Sequence, residues 1–422
     1  MNRIVIVGAG LAGLRTATEL RERGYDGEVV VIGDEPHPPY DRPPLSSELL
    51  TRAEPLWLAD DLGTALADVA DRVITGRAAR LEPGAESVVI MDDGARLEAS
   101  AVVLAMGSAP VRRWPEPLTL HTLEDAALLR AALASPARLA IIGAGWIGSE
   151  VAGQAGAAGH EVTVFEAGPA PLADHIGVRA GDYTRAWHEA AGVDLRTDTP
   201  VHAVDPAGGT GAGLRAIVRT GDGDIEADAV LAATGVRPNT DWLAGSGIPV
   251  TERGFVPVTV DGRVSPRDAT VEATGADAPR VWAVGDVALR DHPRHGPLAG
   301  GHWFSALRDP AGVAAGILGP ERAEPAPNLL APEVFSDQFG HHLERIGDLA
   351  GPGGTEVLRG DPGAGWTLLQ LRGDRLVGAI VADSPRDTSA VRKAFQRAGE
   401  DYPGIDLDLA TDLAVQLRKA LT

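Results

Sequence analysis

At 422 residues the chain has room for about three domains, and a hydrophobic content of 44% is enough to give each a core. The absence of cysteine excludes a redox dithiol, a thiol nucleophile, a cysteine-ligated iron–sulfur cluster and disulfides, so any electron chemistry must sit on a bound cofactor. A formal charge of −21 argues against nucleic acid as a partner; no apolar run approaches the ~18 residues of a membrane span, no secretory segment precedes the first strand, and a cytoplasmic protein is expected.

Residues 2–7 read as a buried strand, 11–23 as a helix and 28–33 as a second strand that runs into Asp34 and Glu35. PHPPYDRPPL (36–45) is too proline-rich for regular structure and reads as an ordered loop. VVLAMGSAP (102–110) is a further strand ending in a small loop, and the first unit pauses near residue 110. A second unit fills 111–230. It holds a strand into GAGWIG, a helix at about 146–158 and a strand, VTVFEA (162–167), that ends in Glu166; VLAATGVRP (230–238) closes it. RVWAVGDVA (280–288) is a strand that returns to the first unit, and an apolar helix follows over about 303–318. EPAPNLLAP (324–332) reads as a linker. Beyond it, WTLLQLRGDRLVGAIVA (366–382) is a hairpin with Gly-Asp at its turn, and 388–400 is an amphipathic helix. The expected fold class is α/β, with 1–110 and 231–323 as one discontinuous domain, 111–230 as a second, and 324–422 as a third, α+β domain.

The glycine fingerprint occurs twice. IVIVGAGLAG (4–13) and LAIIGAGWIG (139–148) each carry an apolar run into G-x-G-x-x-G. Gly8 and Gly143 make the tight turn out of the strand, Gly10 and Gly145 let a pyrophosphate approach the backbone, and Gly13 and Gly148 let the helix pack against the strand. The helix N-terminus then offers free N–H groups and a positive dipole end to the phosphates. The copies lie 135 residues apart at the first glycine and 128 at the later loops, Gly107 and Gly235. Two Rossmann-like units of nearly equal span therefore predict two dinucleotide sites.

Taken together, PYDRPPLS (39–46), GAGWIGSEVA (143–152), ATGVRPNT (233–240), VWAVGDVA (281–288), FSDQFG (335–340) and the run 359–387 resemble the FAD-dependent, NADH-dependent ferredoxin reductases of oxygenase systems, the family of putidaredoxin, rubredoxin and biphenyl-dioxygenase reductases. The resemblance covers essentially the whole chain. It implies glutathione-reductase-like architecture, non-covalent FAD in the first cradle, NADH in the second, and a small iron–sulfur ferredoxin as a transient partner of a monomer or weak homodimer. It places Asp34, or its neighbour Glu35, on the adenosine ribose, Arg42 near the flavin or its phosphates, Asp286 on the ribityl chain, and the Trp303 backbone at the flavin pyrimidine edge. Leu11, Ala12, Ala78, Met106, Gly107, His121, Trp146, Ile147, Thr234, Gly235 and Phe335 join the cofactor-binding set. Glu150 reaches toward flavin and nicotinamide and, with Ser47, forms the expected catalytic pair.

Glu166, at the end of its strand, can accept from both ribose hydroxyls and repels a 2′-phosphate, and no arginine follows in AGPAPLADH, so NADH is favoured over NADPH. His292, His295, His341 and His342 lack ligand-like spacing, and no metal is expected. The chain departs from the family at Ser47 (usually lysine), His121 (often arginine), Phe335 (usually tryptophan), and Gly301 and Ser305 (commonly glutamate and asparagine). These changes surround the expected flavin pocket. They leave open an NADH-dependent flavoenzyme acting on a small molecule or dioxygen, and a redox-sensing protein like apoptosis-inducing factor. Arg345, Lys393 and Arg397 are the expected docking cations for a ferredoxin.

Overall fold

The computed structural model describes residues 2–207, 215–265, 279–319 and 330–422. Two parallel sheets of the same design lie along the chain. The first has the order Val281–Ala283, Ala101–Leu104, Arg3–Val7, Glu28–Gly33, Arg72–Thr75. The second has the order Asp194–Arg196, Glu161–Phe165, Arg138–Ile142, Ala229–Ala232. Strand sequences with no polar alternation demand cover on both faces. In the first sheet Ile4, Ile6, Val29 and Val31 pack under the helix Leu11–Glu22, while Val5, Val7, Val30 and Ile32 pack on the opposite side. The expected return of VWA is seen in register, with Val281 beside Val102 and Ala283 beside Leu104.

Each parallel sheet carries a three-stranded antiparallel appendage, Ala78–Glu82 with Ser87–Met91 and Arg96–Ala99, and Val201–Pro206 with Ala216–Thr220 and Gly223–Ala227. Two short crossing segments, Ser108–Pro110 and Val236–Pro238, pair antiparallel where the chain passes between the units. The C-terminal sheet has the order Glu333–Gln338, His341–Gly347, Arg375–Ala382, Trp366–Arg372, Thr355–Gly360. Its central hairpin turns at Gly373-Asp374 as the sequence predicts. The helix Pro385–Ala398 closes one face with Val391, Ala394 and Phe395.

Three local expectations need correction. The proline-rich loop contains one helical turn, Pro44–Ser47, because Pro43 already has helical angles (φ −51°, ψ −40°) and Pro44 sits at the first helical position, where a missing N–H costs nothing. The single helix expected over 303–318 is two, Trp303–Arg308 and Pro310–Leu318, since Pro310 lacks the N–H that continuation needs. The last helix starts at Pro385 rather than 388, again with proline at its first turn. Of the expected linker, residues 324–329 lie outside the described residues.

Candidate functional site

Both glycine loops have the geometry of a phosphate cradle. The N–H of Gly8 bonds the carbonyl of Ile32 at 2.7 Å, and that of Gly143 bonds Phe165 at 2.7 Å, so each loop is tied to the neighbouring strand end. Gly8 (φ +118°) and Gly143 (φ +105°) take angles that L side chains rarely adopt, and a Cβ there would lie 2.0 and 2.5 Å from the carbonyl oxygens of Ala105 and Ala233. A Cβ at Gly13 or Gly148 would lie 1.9 or 2.0 Å from the carbonyl of Gly8 or Gly143. At Gly10 and Gly145, by contrast, a Cβ would meet nothing within 4 Å. These two glycines cap the helices Leu11–Glu22 and Trp146–Ala157 without any side-chain cap. The fold thus uses two glycines of each triplet for packing and leaves the middle one facing open space, as a dinucleotide requires.

Around the first cradle, Ala12 lies below the Gly285-Asp286 turn, where a Cβ on Gly285 would be 3.1 Å from the Ala12 methyl. Asp286 accepts from Ser108 Oγ at 2.6 Å. The loop Met106-Gly107 is pinned by Asn239, whose backbone donates to the Gly107 carbonyl at 3.0 Å and whose side chain donates to Met106 at 3.1 Å. Thr234 Oγ1 bonds the Val111 carbonyl, and the Gly235 carbonyl receives the Val111 N–H. The two candidate ribose acids differ. Asp34 is exposed and pairs with Arg77 at 3.1 Å, beside the start of the strand that carries Ala78. Glu35 turns into the proline-rich loop, accepting from Arg42 Nη2 at 2.5 Å and Tyr40 OH at 2.6 Å. Arg42 also donates to the His121 carbonyl, and burial together with the Arg42 charge brings the His121 imidazole down to about 4. Arg42 is paired with Glu35, within the field of Asp286.

The same loop reaches two further elements. Asp41 accepts from Trp303 Nε1 at 2.8 Å, with burial raising its pKa. Trp303, Phe304 and Phe335 form an edge-on aromatic cluster with centroids 5.3 to 6.2 Å apart, and His342 stacks on Phe335. Five residues on from Asp41, Ser46 Oγ donates to Glu150 Oε2 at 2.5 Å, and Ser336 Oγ donates to Glu150 Oε1. Gln338 Nε2 backs Ser336 at 2.9 Å. Glu150 is 8% exposed, and burial pushes its carboxyl up to about 7, the two hydroxyls opposing the shift. One carboxyl thus joins the proline-rich loop, the second-cradle helix and the C-terminal sheet. Ser47, at the position where the family usually has a lysine, bonds the Pro43 carbonyl at 3.0 Å. Successive residues of a helical turn point about 100° apart, and Ser46 is the one that faces Glu150.

At the second cradle Glu166 accepts from the Ala144 N–H at 2.8 Å and the Gly168 N–H at 2.7 Å, so its carboxylate stands at the mouth of the glycine loop. Trp146 opens the cradle helix, and Ile147 packs into the core behind it. Sheet pairing brings in Arg196, opposite Phe165, which no local reading of AGPAPLADH could find; its guanidinium is held by Asp194 at 2.8 Å.

The docking cations divide. Lys393 and Arg397 are exposed. Arg345 is half-buried: it shares a sheet face with Leu343 and Ser336 and donates to the His175 carbonyl at 2.8 Å. The histidines that invited a metal reading take other partners. His295 bonds Asp348, His341 bonds Asp383, His342 lies between Asp337 and Glu344, which raise its pKa to about 10, and His292 Nδ1 accepts backbone N–H groups. Among the described residues no three potential ligands gather, and no helix is long and apolar enough to cross a membrane.

Comparison with known proteins agrees with this geometry. Residues 2–302 match the pyridine nucleotide-disulphide oxidoreductase family and residues 334–421 match the reductase C-terminal family. The chain is 34% identical over 405 residues to the benzene 1,2-dioxygenase system ferredoxin–NAD(+) reductase subunit of Pseudomonas putida, covering 94% of this chain and 92% of that protein. It is 33% identical over 435 residues to rhodocoxin reductase of Rhodococcus erythropolis, covering 99% and 95%. The covalent putidaredoxin reductase–putidaredoxin complex superposes with a TM-score of 0.84 at 26% identity, covering 99% and 97%. The chain therefore belongs to the pyridine nucleotide-disulphide oxidoreductase family, among the ferredoxin–NAD(+) reductases with a reductase C-terminal domain.

Proposed function

We propose that this chain is an FAD enzyme that oxidises NADH and passes electrons singly to a small iron–sulfur ferredoxin, which in turn serves an oxygenase such as a cytochrome P450 or a Rieske system. The single observation that carries the reading is the convergence of the proline-rich loop on both sides of the machinery. Its Asp41 holds Trp303 and its Ser46 holds Glu150, the latter on the helix of the second cradle. The domains are 1–110 with 231–323 for FAD, 111–230 for NAD, and 324–422 at the C-terminus.

Bound flavin supplies the chemistry, taking two electrons as hydride and giving them up one at a time. The protein's residues bind and orient. Gly10 and Gly145 leave room for two diphosphates at two helix N-termini. Arg42 would approach the flavin or its phosphates, and Asp34 or Glu35 would take the adenosine ribose. Asp286 would hold the ribityl chain, and the Trp303 segment, with Phe304 and Phe335, would line the flavin ring. Glu150 holds a proton near neutral pH on a carboxyl fixed by two hydroxyls. The protein works as a monomer or weak homodimer.

Anaerobic stopped-flow spectroscopy tests the reading. NADH should bleach the flavin, and a [2Fe–2S] ferredoxin should restore it while becoming reduced. Denaturation should release FAD. Restoration only by quinones or dioxygen would hand the function to a small-molecule acceptor, and a folded protein that cannot be loaded with FAD would end the flavoenzyme reading.

Glu166 should set nucleotide choice. NADH should outperform NADPH, and Glu166→Ala should narrow that preference by about tenfold, since it removes both the ribose hydrogen bonds and the repulsion of a 2′-phosphate. Arg196, on the strand beside Phe165 and engaged by Asp194, is then a cation available to the extra phosphate. Flavin-reduction kinetics with the two nucleotides measure this, and equal efficiencies in the unaltered protein would count against it.

Lys393 and Arg397 should steer the partner. Reversing both to glutamate should slow ferredoxin reduction and flatten its salt dependence, with flavin reduction by NADH unchanged. Ferredoxin rates indifferent to both reversal and salt would move the docking surface elsewhere.

A further inference from the structure

Around His175, beside the second cradle, three buried polar nitrogens have no hydrogen-bond partner among the described residues: Trp146 Nε1, Arg345 Nε and His302 Nδ1. The Trp146 and His175 rings lie 5.6 Å apart, and Arg345 Nη1 donates to the His175 carbonyl. His302 lies in the field of both Arg345 and His175, and burial pulls its imidazole down to about 4. Three elements contribute: the helix of the second cradle, the residue preceding Trp303, and the C-terminal sheet.

Asp174 and Glu166 act on His175, but neither is a partner of Arg345. Arg345 makes no ion pair among the described residues, and the one acid whose field it feels, Asp348, is already bonded to His295 and Tyr402. Burial disfavours its charge, yet a guanidinium does not give up its proton. A half-buried cation whose Nε is shut off from water is favoured by a nearby anion. Trp146 directly follows Gly145, whose Cα faces open space, and His175 feels the charge of Glu166. The guanidinium, held on the His175 carbonyl, is thus on the side of the second cradle where Trp146 opens the helix.

We propose that Arg345, reaching from the C-terminal sheet, binds the diphosphate of NADH and so completes the nucleotide site across a domain boundary. This rests on the reading that NADH occupies the second cradle. The guanidinium is planar and multiply donating, so it suits a diphosphate better than an ammonium would. His302 and the Trp146 indole offer further polar contacts to the same ligand. The C-terminal domain then contributes to nucleotide binding as well as to partner docking.

The test uses the flavin-loaded enzyme and titrates NAD+ and ADP-ribose, the second carrying the diphosphate without nicotinamide. Arg345→Met should weaken both by about tenfold, the loss of a charge-assisted hydrogen bond. The flavin content should not change. Arg345→Lys should recover part of the affinity. Unchanged NAD+ affinity in Arg345→Met would overturn the proposal. So would weakening of NAD+ alone, since the contact would then be to nicotinamide, and so would equal losses in both variants accompanied by loss of flavin, since the residue would then be structural. An unaltered enzyme that binds neither ligand would instead sink the NADH reading on which this depends.

Discussion

Gly145→Val should yield a folded, flavin-loaded protein that binds NADH at least about a hundredfold more weakly. Gly145 has extended angles (φ −78°, ψ −168°) that valine adopts without strain, and an added Cβ meets nothing within 4 Å. The fold has no use for the missing side chain, so stability should be nearly unchanged. What the valine fills is the space over the N-terminus of Trp146–Ala157, where phosphate oxygens would meet free N–H groups. Losing two charge-assisted hydrogen bonds of about 1.5 kcal/mol each amounts to about two powers of ten in affinity. Gly148→Val is the counter-case. Its Cβ would sit 2.0 Å from the Gly143 carbonyl, so helix and strand must separate and the folded yield should fall. Melting temperature, flavin content and the NADH dependence of flavin reduction separate the two outcomes. If Gly145→Val is reduced as readily as the parent, the second cradle is not the nucleotide site.

The contrast between those glycines also explains what the sequence made legible. A glycine that turns the chain, or that lies against a carbonyl, is a backbone requirement, and backbone requirements repeat with fixed spacing. The buried parallel strands were equally readable, because a sheet covered on both faces has no polar alternation. The return of Val281–Ala283 to the first sheet followed from the same apolar run. Contacts between distant side chains were not readable. Ser46 and Ser336 both lie inside diagnostic motifs, yet their meeting at Glu150 spans separations of 104 and 186 residues, and nothing local encodes it. The partial burial of Arg345 was unreadable for a related reason. A strand turns alternate residues to opposite faces, but the sequence HHLERIG does not say that both faces are covered: Leu343 is buried on the face of Arg345, and Glu344 and Ile346 are buried on the other. At the Asp309-Pro310 break the apolar run hid a helix boundary that the proline alone announced.

Glu150→Gln should become progressively more stabilising as pH rises. The parent carboxyl titrates at about 7 in the folded protein against an ordinary value of 4.5, because burial disfavours its charged form. Between those limits the folded chain holds a proton that the unfolded chain has released. Stability therefore falls with rising pH through that window, and above it the full penalty is present, about 3 kcal/mol. Below the ordinary carboxylate value both states are protonated and the penalty vanishes. Glutamine keeps the shape and a donor toward Ser46 or Ser336 while removing the titration. The melting-temperature difference, variant minus parent, should therefore grow more positive from about pH 5 to about pH 8. Ser46→Ala and Ser336→Ala act in the opposite direction: each removes a hydroxyl that favours the charged form, so the carboxyl should titrate still higher and the loss of stability should extend to more alkaline pH. A melting difference that stays level across this range would mean that Glu150 is charged throughout. The junction of loop, cradle helix and C-terminal sheet would then hold an anion rather than a proton, and its two serines would be there to solvate it.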